Sequence, residues 1–170
     1  FNPPLIGVGV PVLGMIGTAF VVERSFSDQG AKLLALSLRL IAAGLSALLV
    51  WLELQQMVDF FVAGDTTLLR NGLVTIAWAG IAFGLFRLEP KRKWPDGAVL
   101  YAAYGFMGLS VALLVLGGYF QANPLWQLVD VGSVWFFNRL ILVYAIPALL
   151  VFLMAERLRA LPAPYGAQLS

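Results

Sequence analysis

The chain has 170 residues, of which 61% are hydrophobic and only 12% charged, with a mean hydropathy of +0.87. Soluble domains carry roughly 45–50% apolar and about 25% charged residues, so a water-facing surface is excluded and a lipid bilayer is the expected solvent. The net charge of +2 is too weak for a nucleic-acid footprint, and cysteine and histidine are both absent. Those absences remove disulfides, thiolate nucleophiles, His-ligated zinc, Ser-His-Asp triads and the usual proton shuttle, so no metal, cofactor or catalytic set is expected.

Five apolar stretches reach the roughly 17–25 residues that span a bilayer: 4–22, 31–57, 68–88, 98–120 and 137–158. The intervening segments hold the breakers: Asp28 with Gly30, Gly64-Asp65, Pro90 with Pro95-Asp96-Gly97, and Asn123-Pro124. Backbone groups in lipid must be satisfied within the segment, so these runs are helices rather than open strands. The expected fold is an all-α polytopic transmembrane bundle of about five spanning helices. The chain starts Phe1-Asn2-Pro3-Pro4, with no initiator Met and no basic stretch before the first apolar run. That run is therefore not a signal peptide, and the start reads as internal to a longer protein whose other helices would be partners.

The second stretch carries Lys32, Arg39, Ser46 and Glu53 at intervals of seven. Two helical turns return nearly to the same face. Ala35, Ala42, Ala43 and Met57 share that face, while Leu34, Leu38, Leu45, Leu48 and Leu52 cover the other. A small, polar stripe of this kind points into the bundle or at a water-filled cavity. Arg39, Ser46 and Glu53 are thus the candidate polar intramembrane face. Insertion is feasible. An Arg near a helix centre costs roughly 2.5–3.5 kcal/mol, and the nine Leu, one Ile and one Val of residues 33–52 together contribute about 3–7 kcal/mol. Arg39 still needs a partner, and snorkelling would bring it to Glu23 or Glu156.

The third stretch contains Gly80-x-x-x-Gly84 with Ala77 on the same face. Gly105 with Gly108, and Gly14 with Gly17, give further small contact points, and small residues let helices approach closely within a bundle or between subunits. Asp59, Asp65 and Asp130 lie in segments rich in aromatics, including Trp126, Trp135, Phe136 and Phe137. Such rings suit the membrane interface.

Basic residues orient the bundle. Arg24, Lys32, Arg87, Lys91, Arg92, Lys93, Arg157 and Arg159 fall on one side, against Arg70 and Arg139 on the other. With the larger set in the cytoplasm, the N-terminus of this segment lies outside and the C-terminus inside, across a bacterial inner membrane.

Residues 1–23 align with 137–159. Phe1-Asn2 matches Phe137-Asn138, Pro11 matches Pro147, Leu13 matches Leu149 and Ala19 matches Ala155. The unit is then a four-helix parallel repeat, 1–136, followed at 137–170 by the first helix of the next repeat and a cytoplasmic tail. Four helices is an even number, so both copies enter the membrane in the same direction, in agreement with the charge count. Asn138, Tyr144 and Pro147 form the candidate repeat signature. A proline inside a helix frees a carbonyl and kinks the segment, and the kink beside Tyr144 is a candidate binding position.

The segment Trp135-Phe136-Phe137-Asn138-Arg139-Leu140-Ile141-Leu142-Val143-Tyr144-Ala145-Ile146-Pro147-Ala148-Leu149-Leu150 resembles a signature of a large bacterial family of predicted membrane proteins, domain of unknown function 2339. Leu49-Val50-Trp51-Leu52-Glu53-Leu54 resembles a recurring segment of the same family, in which an acidic residue precedes a basic or His-containing turn; Gln55-Gln56 stands in that place here. The resemblance extends from about residue 33 to 158. It implies a longer protein of many helices in repeated groups and carries no assigned activity. Three functional readings follow: a structural or scaffolding region of the bacterial cell envelope, part of a transporter with its polar pathway along the second helix, and, last, an enzyme using Glu53, Asp59, Asp65 or Asp130.

Overall fold

A computed structural model describes residues 3–62, 66–92, 97–121, 123 and 140–159. All elements among them are helical. α1 spans Pro3–Ser25, α2 Gln29–Phe61, α3 Thr67–Arg92 and α4 Ala98–Leu113. α4 runs on without a break into a π segment, Leu114–Gln121 (π1), and a second π segment, Ile141–Ala145 (π2), leads into α5, Ile146–Arg159. Four helical stretches are long and apolar enough to cross a membrane, namely Pro3–Ser25, Gln29–Phe61, Thr67–Leu88 and Ala98–Gln121. The fifth, Val143–Glu156, is a shorter apolar helix. Residues 137–139, where the sequence places its start, lie outside the described residues, as do Asp65, Asp130, Trp126 and Trp135.

Two boundaries differ from expectation. α2 continues to Phe61, past the expected end at Met57. Its 33 residues span about 50 Å at 1.5 Å per residue, well beyond a hydrocarbon core of about 30 Å. The polar turn of Gln55, Gln56 and Asp59 therefore extends the helix instead of ending it. α3 passes through Pro90 to Arg92. Proline in a final turn removes a single helical bond, and its fixed φ is helical, so it need not end the element.

Local chemistry sets the starts. The Asp28 carboxylate accepts the Ala31 N–H at 3.1 Å, capping α2. Gly97 precedes α4 at φ +65°, a left-handed conformation that favours glycine, and its carbonyl accepts the Tyr101 N–H at 3.0 Å.

Consecutive helices run antiparallel. Gly9 meets Leu49 and Glu23 meets Arg39 between α1 and α2. Ala47 meets Trp78 and Asp59 meets Arg70 between α2 and α3. Thr75 meets Ser110 and Asn71 meets Gly117 between α3 and the α4–π1 helix. α3 is the hub, packed on α2, α4, α5 and both π segments. Its most apolar window has the lowest mean hydropathy of the four spans, 1.4 against 2.1–2.2, and the largest buried share, 39% against 11–17%. The helix least suited to lipid is the one most shielded from it. The core interleaves small and aromatic side chains: Ala47, Ala82 and Ala103 make room for Trp78, Phe86 and Phe106, with Val74 and Met154 filling between. α1 packs substantially on α2 alone.

Candidate functional site

The polar face of α2 separates into three local arrangements. Arg39 donates to the Glu23 carboxylate of α1, and the pair is largely shielded, with side-chain exposures of 14% and 34%. Both side chains reach along the helices to meet, since antiparallel packing through the short Phe26–Asp28 connection sets Glu23 nearer the helix ends than Arg39. Ser46 closes on its own helix, donating to the Ala42 carbonyl at 2.8 Å. Glu53 is half-buried in an open groove of about 620 Å³ between α2 and α3, otherwise lined by Leu49, Val50, Leu54, Ala77, Gly80 and Ile81. Fourteen residues separate Arg39 from Glu53, about 21 Å along the axis, so the three candidates do not converge on one site. Lys32 is exposed, and Met57, expected on the polar face, is also exposed.

Outside this face, Asp59 is ion-paired with Arg70 across the α2–α3 connection. Among the described residues no three Asp, Glu, His or Cys side chains gather as a metal-ligand set.

A second polar region, outside the heptad stripe of α2, lies where α3 meets the two π segments. Tyr144 of π2 donates its hydroxyl to the Gly118 carbonyl of π1 at 2.7 Å. Ser110 donates to the Thr75 carbonyl at 2.9 Å, and Thr75 to the Asn71 carbonyl at 2.7 Å. The Asn71 side chain lies against Gly117, where a Cβ would meet its Nδ2 at 2.8 Å. Val143 presses on Gly72, where a Cβ would fall 2.6 Å from Val143 Cγ2. Elsewhere, Trp78 Nε1 donates to the Ala47 carbonyl at 3.1 Å. Each interhelical bond of this set runs from a side chain to a backbone carbonyl, which ties helices together while leaving no side-chain donor facing lipid.

The signature residues fare unequally. Tyr144 makes an interhelical bond and Pro147 is fully buried, whereas Asn138 lies outside the described residues. Ahead of Pro147, the Ile146 N–H bonds to the Ile141 carbonyl, five residues back. Proline offers no N–H to the Val143 carbonyl and its ring crowds that oxygen, and the widened turn relieves the crowding. The glycine motifs do not mark the tight contacts within this chain. Cβ atoms built at Gly80, Gly84, Gly105, Gly108, Gly14 and Gly17 meet nothing within 4 Å. Among the described residues the close interhelical approaches fall at Gly72 and Gly117, and Gly118 touches Val143 and Tyr144 at ordinary contact distance. The adjacent Gly117-Gly118 and the Asn71/Thr75 pair one turn apart on an apolar helix are the signals that point to them.

The candidate groove and a smaller crevice of about 140 Å³ between Gly44 of α2 and Gly105 of α4 are both bordered chiefly by apolar and small side chains. No curated protein and no solved structure matches the chain. A family model does match, over residues 7–169, and its description is predicted membrane protein (DUF2339). With apolar helices throughout and nearly the whole length covered, this chain belongs to the DUF2339 family of predicted membrane proteins.

Proposed function

We propose that this region is a structural scaffold of the bacterial cell envelope, held in the inner membrane. The observation that carries the reading is the closure of Arg39 on Glu23. The charge with the highest insertion cost is neutralised between two neighbouring helices and does not face a pathway. Ser46, bonded to its own backbone, adds to this, because a hydroxyl lining an aqueous route has no need to turn back on the helix. The charge distribution supports an N-terminus outside and a C-terminus in the cytoplasm. The four-helix parallel repeat, 1–136 and then 137–170, is supported by the direction of the fifth helix. Val143 meets Gly72 near the start of α3, while Met154 joins Phe86 in the core, so the fifth helix runs with α3 and α1.

Transport is the alternative, and one observation favours it: two adjoining helices leave α-geometry at the same level, and carriers build their sites from discontinuous helices. Ser46→Cys in the otherwise cysteine-free chain separates the two. Arg92→Cys and Asp130→Cys serve as controls for the two membrane faces, and the readout is labelling by a membrane-impermeant thiol reagent. The scaffold reading expects silence at position 46 while Asp130→Cys labels from outside. Labelling at 46 would reveal water along α2 and make transport the leading reading.

A further inference from the structure

We propose that the two π segments form a latched hinge, with the Tyr144 hydroxyl as the latch. π1 and π2 pack on each other and on the first turns of α3, where Leu68 and Val143 are buried beneath Leu114, Leu140 and Tyr144. A π turn bonds each N–H five residues back and is rare, appearing mostly as single-turn bulges at functional positions. An eight-residue run such as Leu114–Gln121 persists only where the surroundings over-determine it.

Several of those contacts lie among the described residues. Tyr144 holds the Gly118 carbonyl, Val143 occupies the space left by Gly72 and touches Gly118, and the Asn71 side chain fills the space beside Gly117. One of these contacts is imperfect. Asn71 Nδ2 is buried and donates to no hydrogen-bond acceptor. The packed arrangement therefore contains a strong tie at Tyr144 and an unmet donor within one joint, the combination expected of an element balanced between two states.

The second state follows from helix geometry. Removing one extra residue from the π1 register returns the segment to α-helix and turns its C-terminal end by about 100° relative to α4. That rotation carries the Gly118 carbonyl away from Tyr144 and frees the face of Gly117 from Asn71. Two other interhelical bonds, Trp78 to Ala47 and Ser110 to Thr75, lie in purely α-helical stretches and tie α3 to α2 and to α4. The motion is confined to the π1 and π2 ends of their helices. This device is independent of the scaffold reading, since a scaffold and a carrier would both transmit it.

Amide hydrogen exchange on the whole protein in lipid nanodiscs tests the latch, because local opening is read segment by segment. Tyr144→Phe keeps the ring and removes the donor. Exchange over 114–121 and 141–145 is expected to rise about three- to tenfold, the scale of one interhelical bond in a membrane, with 98–110 unchanged. Asn71→Leu removes the unmet donor and is expected to slow exchange over the same segments. Unchanged exchange in the two variants, or acceleration spread evenly over all helices, would overturn the hinge. If Tyr144→Phe does not assemble, Asn71→Leu decides alone, and exchange that is unchanged or faster over 114–121 refutes the proposal.

Discussion

α1 carries Pro11 on an exposed face and stays α-helical from Pro3 to Ser25, whereas the aligned Pro147 is fully buried and the turn before it is widened into π2. Both prolines lack the same donor and press on the same kind of carbonyl. Their surroundings differ. Among the described residues α1 packs mainly on α2 and through ordinary contacts, a Cβ at Gly9 falling 3.8 Å from Leu49. The fifth helix enters between α3 and π1, with Val143 driven against Gly72 and Tyr144 bonded to Gly118. A proline on an open face bends into free space, while a buried one must be absorbed by the hydrogen-bond register itself. Two prolines within helices thus meet different helical geometries because packing, not the proline, selects the remedy.

The largest expected effect breaks the fifth-helix side of this contrast. Gly72→Ala places a Cβ 2.6 Å from Val143 Cγ2 and 3.3 Å from its backbone Cα, and backbone yields little. A loss of about 3 kcal/mol is expected, the upper range for overpacking, read as a fall in Tm of the purified protein. Gly9→Ala on α1 should leave Tm unchanged. Equal losses at the two positions would mean that α1 is packed as tightly as the fifth helix.

Next comes the polar tie that holds α1. Arg39→Leu leaves Glu23 without this partner, and about 2 kcal/mol is expected to be lost, below the usual cost of breaking a buried pair because Glu23 is partly exposed. Arg39→Leu combined with Glu23→Gln should recover most of that Tm. A double variant no better than the single one would show that Arg39 acts through something other than this pair.

The smallest effect compares the prolines directly. Pro11→Ala should stabilise by about 1 kcal/mol, because it restores a helical bond at an exposed position, whereas Pro147→Ala should gain almost nothing, because the void left by a buried ring costs about 1 kcal/mol in return. Thermal unfolding of both variants side by side measures the difference. If Pro11→Ala proves the more costly, burial is not what separates the two prolines.

Much of this architecture is legible without coordinates. The apolar runs locate the helices to within a few residues, because lipid admits no other spanning form at these lengths. Arg39 announces its need for a carboxylate, and Glu23, one of the two expected, meets it. Asp28 and Gly97 mark helix starts through side-chain capping and a left-handed backbone, both local effects. The family signature and the extent of the match agree over most of the chain.

Other features are not local and were decided by the tertiary structure. The heptad spacing groups Arg39, Ser46 and Glu53 on one face, yet each finds a different environment, since α2 touches α1 on one side and α3 and α4 on another. Gly80-x-x-x-Gly84 has the sequence of a contact and open space beside it, while Gly72, outside any such motif, makes the closest approach. The π turns before Pro147 and around Gly117-Gly118 depend on which helices lie alongside. The sequence alone determined that this is a membrane helix bundle and where its chain crosses, because hydration and backbone bonding act residue by residue. Which faces touch, and which helices give up α-geometry to let them, was decided by packing between segments far apart in the chain.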